Sequence, residues 1–215
     1  MRNQAYFFFL VSPEQLNYAS QLVSFSLDHH RIPNIWDGTL HQERTADLRT
    51  TGSLGEVLFA DAYGLPRPLR AFGADDGQDL GRDFELCVDG VPKCFDIKTM
   101  RRKTNHFRPD YVLNIPASQL NRPGSLTDTY FHINLHQQAD GRFVGTFVGL
   151  ADKEDIRRGA IGQFYAAGAT RIRADGSSFT FFTDTYEIDL GDLGTPPLTD
   201  AIRRLPGFGI ATMNG

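Results

Sequence analysis

The chain has 215 residues, 40% of them hydrophobic, with 22 Lys and Arg against 26 Asp and Glu for a net charge of −4. That length suits one domain with a full core, and the composition argues against disorder. No apolar run approaches the ~20 residues of a membrane helix, and the acidic balance gives no global attraction to nucleic acid.

Met1 to Val11 has a faint signal-peptide look, but its apolar part is short and Ser12-Pro13-Glu14 offers no cleavage site. Tyr6 to Val11 therefore reads as a buried strand or a helix start. Pro13 to Leu27 follows with helical spacing of Leu16, Ala19, Leu22, Val23 and Ser26. Asp28-His29-His30 reads as a polar helix end, since adjacent histidines rarely face one ion. Trp36, in a loop with Pro and Asp, reads as a packing anchor. The only cysteines, Cys87 and Cys94, are too few for a disulfide framework and lack CxxC spacing. They imply a reducing, cytoplasmic setting and read as small buried thiols.

Gly52 to Gly64 has the next helical pattern, with Leu54, Val57, Leu58 and Asp61 or Ala62 on adjoining positions and Gly64 as the stop. Its glycines permit close approach to a sheet. Glu56 has two readings. It can point at the acidic residues downstream as a metal or water ligand, or Ser53-x-x-Glu56 can be a capping box that closes the helix start.

Gly81 to Thr99 reads as a β-hairpin around an Asp89-Gly90 turn. Phe84, Leu86 and Val88 alternate with Asp83, Glu85 and Cys87, and Phe95 and Ile97 alternate with Cys94, Asp96 and Lys98. A two-residue loop pairs Val88 with Val91 and sets Asp83 across from Asp96, with Lys98 on the same face. Cross-strand partners hold their Cβ atoms about 5 Å apart, close enough for two carboxylates to grip one cation. A three-residue loop would flip one strand and undo the arrangement.

Two carboxylates at that distance repel, and burying them asks for compensating positive charge. Hard oxygen ligands suit Mg²⁺, with Mn²⁺ as a substitute. Such an ion stabilises charge on a phosphoryl oxygen, and a nearby ammonium can orient or deprotonate water. The chemistry implied is phosphodiester hydrolysis.

Gly55-Glu56 on a helix, then Asp83 opening a hairpin, then Asp96-Ile97-Lys98 and Thr99, resembles the core of the PD-(D/E)XK nuclease superfamily over about residues 52 to 150. The resemblance implies an α/β fold, a restriction-endonuclease-like mixed sheet flanked by helices, here with a C-terminal β-hairpin added. It implies that Asp83 and Asp96 hold Mg²⁺, that the Ile97 carbonyl adds a ligand, that Lys98 positions the attacking water and that Glu56 is an auxiliary acid. The proline of the family's name is absent, Arg82 standing before Asp83, and Asp75, Asp76 and Asp79 are rivals for the upstream acid. Arg101, Arg102, Lys103 and Arg108 follow Lys98 closely and are the expected contacts to a phosphate backbone.

Farther on, Tyr111 to Ile115, Tyr130 to Leu135 and Phe143 to Val148 read as strands, the last two joined through Ala139-Asp140-Gly141. His132 and His136 share a face with Tyr130 and Asn134, either lining a substrate groove or making an exposed polar face. Asp152 is placed to cap a short helix. A last hairpin turns at Asp175-Gly176 between Arg171 to Arg173 and Phe179 to Phe182, Tyr186 to Leu190 adds an edge, and a terminal helix lies near Asp200 to Leu205.

The expected function is a metal-dependent endonuclease acting on DNA, with restriction or defence as one job and RNA left open as a substrate. A homodimer is natural, by analogy alone, for a small enzyme that cuts both strands. The competing readings are a noncatalytic nucleic-acid-binding or assembly subunit on the same fold, and an enzyme acting on another phosphate ester.

Overall fold

The computed structural model of the chain describes residues 4–29, 42–69, 82–172 and 176–213, with backbone alone at 26–29 and 42–45. Trp36, His30, Asp75, Asp76, Asp79, Gly81, Arg173 and Asp175 lie outside the described residues, as do the side chains of Asp28 and His29.

Strand β1 (Ala5–Leu10) leads into helices α1 (Pro13–His29) and α2 (Gln42–Tyr63). Hairpin β2 (Phe84–Val88) and β3 (Val91–Arg102) follows, then β4 (Val112–Pro116) and the single turn α3 (Ala117–Leu120). A second hairpin, β5 (Thr129–Gln137) and β6 (Phe143–Asp152), runs directly into α4 (Lys153–Arg157). Short strands β7 (Gln163–Tyr165), β8 (Thr170–Ile172), β9 (Ser178–Thr180) and β10 (Thr185–Asp189) precede α5 (Asp200–Arg203) and β11 (Gly209–Thr212).

Among the described residues, the main sheet is mixed, in the order β11-β1-β6-β5-β3-β2, with β3 and β5 parallel and the other neighbours antiparallel. Its neighbouring strands β11 and β1 come from opposite ends of the described chain, so the core is not confined to residues 52 to 150. A three-stranded sheet, β4-β10-β7, is separate from it. Tyr186 to Leu190, expected at an edge, falls mostly in β10 at the centre of that smaller sheet. The β8–β9 hairpin forms as expected, pairing Arg171 with Phe179.

Two apolar layers follow from strand alternation. On one face of the main sheet, Phe95, Ile97, Phe131, Ile133, Leu135 and Phe147 pack with Phe7, Phe9 and the α2 residues Leu54, Val57, Leu58, Phe59 and Ala62. Phe59 anchors this layer, its ring centroid 4.9 Å from Phe131, 5.1 Å from Phe84 and 5.6 Å from Phe95. Burying each such side chain contributes about 1.5–3 kcal/mol. On the other side, Tyr130 and Val148 pack with Leu113 and Ile115 of β4, Ile156 of α4 and Ile188 of β10.

Helix α2 begins ten residues before the expected start and ends as expected at Gly64, whose φ is +67°. Thr199 caps α5 by accepting the Ile202 amide proton at 3.2 Å, and its hydroxyl donates to the Ala62 carbonyl at 2.9 Å, fastening the end of α2. Asp152 stands at the N-cap of α4, but its carboxylate accepts from the Thr129 hydroxyl at 2.6 Å and from Lys93 at 3.1 Å instead of capping. The cysteines differ from expectation too: Cys87 is exposed and Cys94 half-buried, because both fall on the outward side of the hairpin.

Only one of the two expected glycine contacts is a close approach. A Cβ on Gly55 would stand 1.7 Å from Thr99 Oγ1 and 2.8 Å from Thr99 Cβ, whereas one on Gly52 would meet nothing within 4 Å. Gly55→Ala is therefore expected to destabilise the protein by about 1–3 kcal/mol through overpacking against β3. Gly52→Ala is expected to stabilise it by about 0.5–1 kcal/mol through helix propensity. Thermal melts of the two variants check this; equal melting temperatures would remove the claim that α2 is seated on β3 through Gly55.

Candidate metal centre at the hairpin

Asp89 and Gly90 both have positive φ, +51° and +80°, the backbone of a two-residue turn whose twist matches the flanking strands. Val88 consequently pairs with Val91 and Phe84 with Phe95. Continued by one residue, this register sets Asp83 opposite Asp96. The Asp83 amide donates to the Phe95 carbonyl at 2.9 Å, and its carboxylate accepts the Ile97 amide proton at 2.7 Å. Ile97 thus touches the centre through its N–H.

Burial holds the Asp83 carboxyl well above its ordinary pKa of 3.8, and the charges of Glu56 and Asp96 push it further in that direction. The Ile97 amide and the Lys98 ammonium oppose the rise. The ordering matters because it identifies the neighbours: two more acids and one amine act on Asp83. Lys98 Nζ lies 2.5 Å from Asp96 Oδ1, with the two side chains 20% and 13% exposed. Side-chain alternation on β3 is what makes these residues neighbours.

The two readings of Glu56 are now distinguishable. Since α2 starts at Gln42, Ser53 lies in the middle of the helix and its hydroxyl has no hydrogen-bond partner among the described residues. A capping box there is excluded. Glu56 instead follows the glycine that seats α2 on β3, and that contact brings its carboxylate within electrostatic range of Asp83.

An oxygen-rich, anion-crowded centre fits a hard divalent cation, with Asp83, Asp96 and Glu56 as the residues to hold it. As arranged, though, no group of three or more His, Cys, Asp or Glu among the described residues is placed to hold an ion. Asp96 is engaged by Lys98, and Asp83 by the Ile97 amide.

The expected basic contacts divide. Arg102 is not available to a phosphate backbone. Its Nε donates to Asn134 Oδ1 at 2.7 Å, its Nη2 to the Val112 carbonyl at 3.0 Å, and its guanidinium lies 4.3 Å from the Tyr111 ring centroid. Burial lowers its pKa to about 10. Arg101 points to the opposite face, where it pairs with Asp47 at 2.8 Å and bonds Gln137 at 2.6 Å. Arg108 is paired with Asp110 at 2.5 Å, and Lys103 is exposed.

His132 and His136 line no groove. Both are buried, His132 completely, because the smaller sheet's β4 region closes over that face. Arg102 Nη2 lies 3.2 Å from His132 Nε2, and His132 Nδ1 lies 3.1 Å from the Lys98 carbonyl. An arginine can only donate, so Nε2 accepts and Nδ1–H donates to Lys98. The imidazole is neutral, held down to a pKa of about 3 by burial first and by Arg102 second.

Sequence reasoning gave no role to Tyr130. Tyr130 pairs with Asp96 across the parallel β3–β5 ladder, and Lys98 Nζ lies 5.6 Å from its ring centroid. That ladder joins strands more than thirty residues apart, and nothing local in the sequence announces it.

No protein-family model matches the chain, and no curated protein or solved structure matches it significantly.

Buried His132 and half-buried Asp83 have opposite effects on stability. His132 has a folded pKa below its ordinary 6.5, so its contribution is complete above pH 6.5 and is lost as pH falls toward about 3. Asp83 has a folded pKa above 3.8, so its ionisation costs stability as pH rises from 3.8 through the raised value. In metal-free buffer, Asp83→Asn is expected to melt higher than the parent at about pH 7.5, with the gain vanishing toward about pH 4. Melts across that range check it; a lower melting temperature for the variant at neutral pH would contradict the crowding of Asp83.

Proposed function

We propose that this protein is a Mg²⁺-dependent nuclease of the PD-(D/E)XK type that hydrolyses phosphodiester bonds in DNA. The observation that carries the reading is Asp83: a half-buried carboxyl set opposite Asp96 by the hairpin register, with Glu56 and Lys98 acting on it as well. Uncompensated, that grouping opposes folding, which argues for a ligand that reverses the sign. The mixed sheet flanked by helices is consistent with a restriction-endonuclease-like fold.

In this reading Asp83 and Asp96 hold the ion, Glu56 is the auxiliary acid and the Ile97 carbonyl can complete the ligand set. A bound Mg²⁺ supplies Lewis acidity toward a phosphoryl oxygen and lowers the pKa of coordinated water. Lys98 orients the attacking water with its ammonium, or takes its proton once neutral. Its backbone carbonyl is held by His132, and the ring of Tyr130 limits where its side chain can go. Water attacks phosphorus and the leaving alkoxide takes up a proton, so one bond forms as one breaks.

A second reading, a noncatalytic nucleic-acid-binding or assembly subunit, draws on a specific observation. The Lys98–Asp96 pair already compensates one acid internally, and the acids are not arrayed as a ready ion site. Cleavage decides between the two. With Mg²⁺, the purified parent is expected to cut supercoiled plasmid DNA. Lys98→Ala and Asp96→Asn are each expected to lose about 10²–10⁴-fold of that activity while keeping the parent's circular dichroism. Parent and variants cutting alike, or a parent that cuts nothing with Mg²⁺ or Mn²⁺, would refute the nuclease reading.

A further inference from the structure

The Lys98 amine has two places to rest. One is the carboxylate of Asp96, with Oδ1 at 2.5 Å from Nζ. The other is the ring of Tyr130, whose centroid lies 5.6 Å from the same nitrogen. An ammonium within about 6 Å of an aromatic centroid is drawn to the electron-rich face of the ring.

Backbone pairing puts the ring there. In the parallel β3–β5 ladder Asp96 pairs with Tyr130 and Lys98 with His132, and strand alternation keeps Asp96 and Lys98 on one face. The ring is held from behind, since Tyr130 is 1% exposed and packs with Leu113, Ile115, Val148 and Ile156. The backbone of Lys98 is held too, its carbonyl accepting from His132 Nδ1 at 3.1 Å. Seat and strand are thus fixed, and the four-carbon stem of Lys98 is the part that can swing. A divalent cation on Asp96 would take the oxygen that Lys98 now holds, and two cations on one carboxylate repel. An aromatic face sorts the two: Mg²⁺ demands oxygen ligands and dehydrates reluctantly, whereas an ammonium on a flexible stem can lie against a ring.

We propose that Tyr130 is a positioning residue: its ring is the seat to which the Lys98 ammonium moves when a divalent cation takes Asp96, keeping the amine at the centre beside the attacking water. This rests on the nuclease reading and goes beyond it by assigning how one carboxylate serves two cations in turn.

Nuclear magnetic resonance of protein labelled with ¹³C at lysine Cε reads the seat directly, because protons over a ring face shift upfield; Lys98→Arg identifies the signal. At saturating Mg²⁺ the Lys98 Cε protons of the parent are expected to move farther upfield, as are those of Tyr130→Phe, whereas those of Tyr130→Leu are not. In cleavage of a short duplex, Tyr130→Leu is expected to lose about tenfold in kcat with KM little changed, and Tyr130→Phe to keep the parent's kcat. No upfield move in the parent at saturating Mg²⁺ would overturn the proposal. So would equal losses of kcat in Tyr130→Phe and Tyr130→Leu. Asp96→Asn without metal is independent of both Mg²⁺ and cleavage: with the anion gone, its Lys98 signal is expected upfield of the parent's. If the parent binds no Mg²⁺ and cuts nothing, the nuclease reading fails separately. An upfield move in Asp96→Asn then still supports the ring as the amine's second seat, and a downfield move or none overturns it. That arm leaves Tyr130 in place, so it decides even where Tyr130→Leu does not fold.

Discussion

A single hydrogen-bond register governs the candidate centre. Because Asp89 and Gly90 turn the chain in two residues, Asp83 falls opposite Asp96, and the same register turns Phe84 and Phe95 inward. One residue more or fewer in the turn would send one strand's carboxylate to the other face. The apolar side of the hairpin, anchored on Phe59, therefore enforces the polar side: slipping the strands to relieve Asp83 would expose two phenylalanines. Crowded acids persist because the aromatic layer beneath them does not yield.

Two supports meet at β3 from opposite sides. From the helical side, Gly55 lets α2 lie on Thr99 and carries Glu56 to Asp83. From the other, Arg102, His132 and Asn134 form a buried polar layer that ends on the Lys98 carbonyl. Asn134 Nδ2 and His136 Nε2 have no partner in that layer. Its chemistry is thus directed at holding β3, and Lys98 with it, while the acids remain near their common point. In the proposed nuclease a proton on Asp83 and a divalent cation would compete for the same place, which would couple metal binding to proton release.

Much of this was legible in the sequence where the signal was local. The Asp-Gly turn, the alternation on either side of it and the stop at Gly64 carry their own chemistry, and hairpin, faces and helix end follow from them. The pairing of β5 with β6 was legible for the same reason. Long-range partners were not. Parallel pairing of β3 with β5 placed Tyr130 beside Asp96, and the smaller sheet buried His132 and Arg102, which local periodicity could present only as a polar stripe and a basic run. The early start of α2 was obscured because Gln42 to Thr51 carries many polar residues and few of the apolar positions that reveal a helix. The edge strand β11 was missed because Gly209 to Thr212 is short and takes its identity from β1.

The most direct test is a crystal soaked in Mn²⁺ and examined by anomalous scattering. The account predicts a peak about 2.1–2.2 Å from carboxylate oxygens of both Asp83 and Asp96, with the Lys98 amine drawn away from Asp96. A map without a peak there, with Lys98 still closed on Asp96, would contradict it.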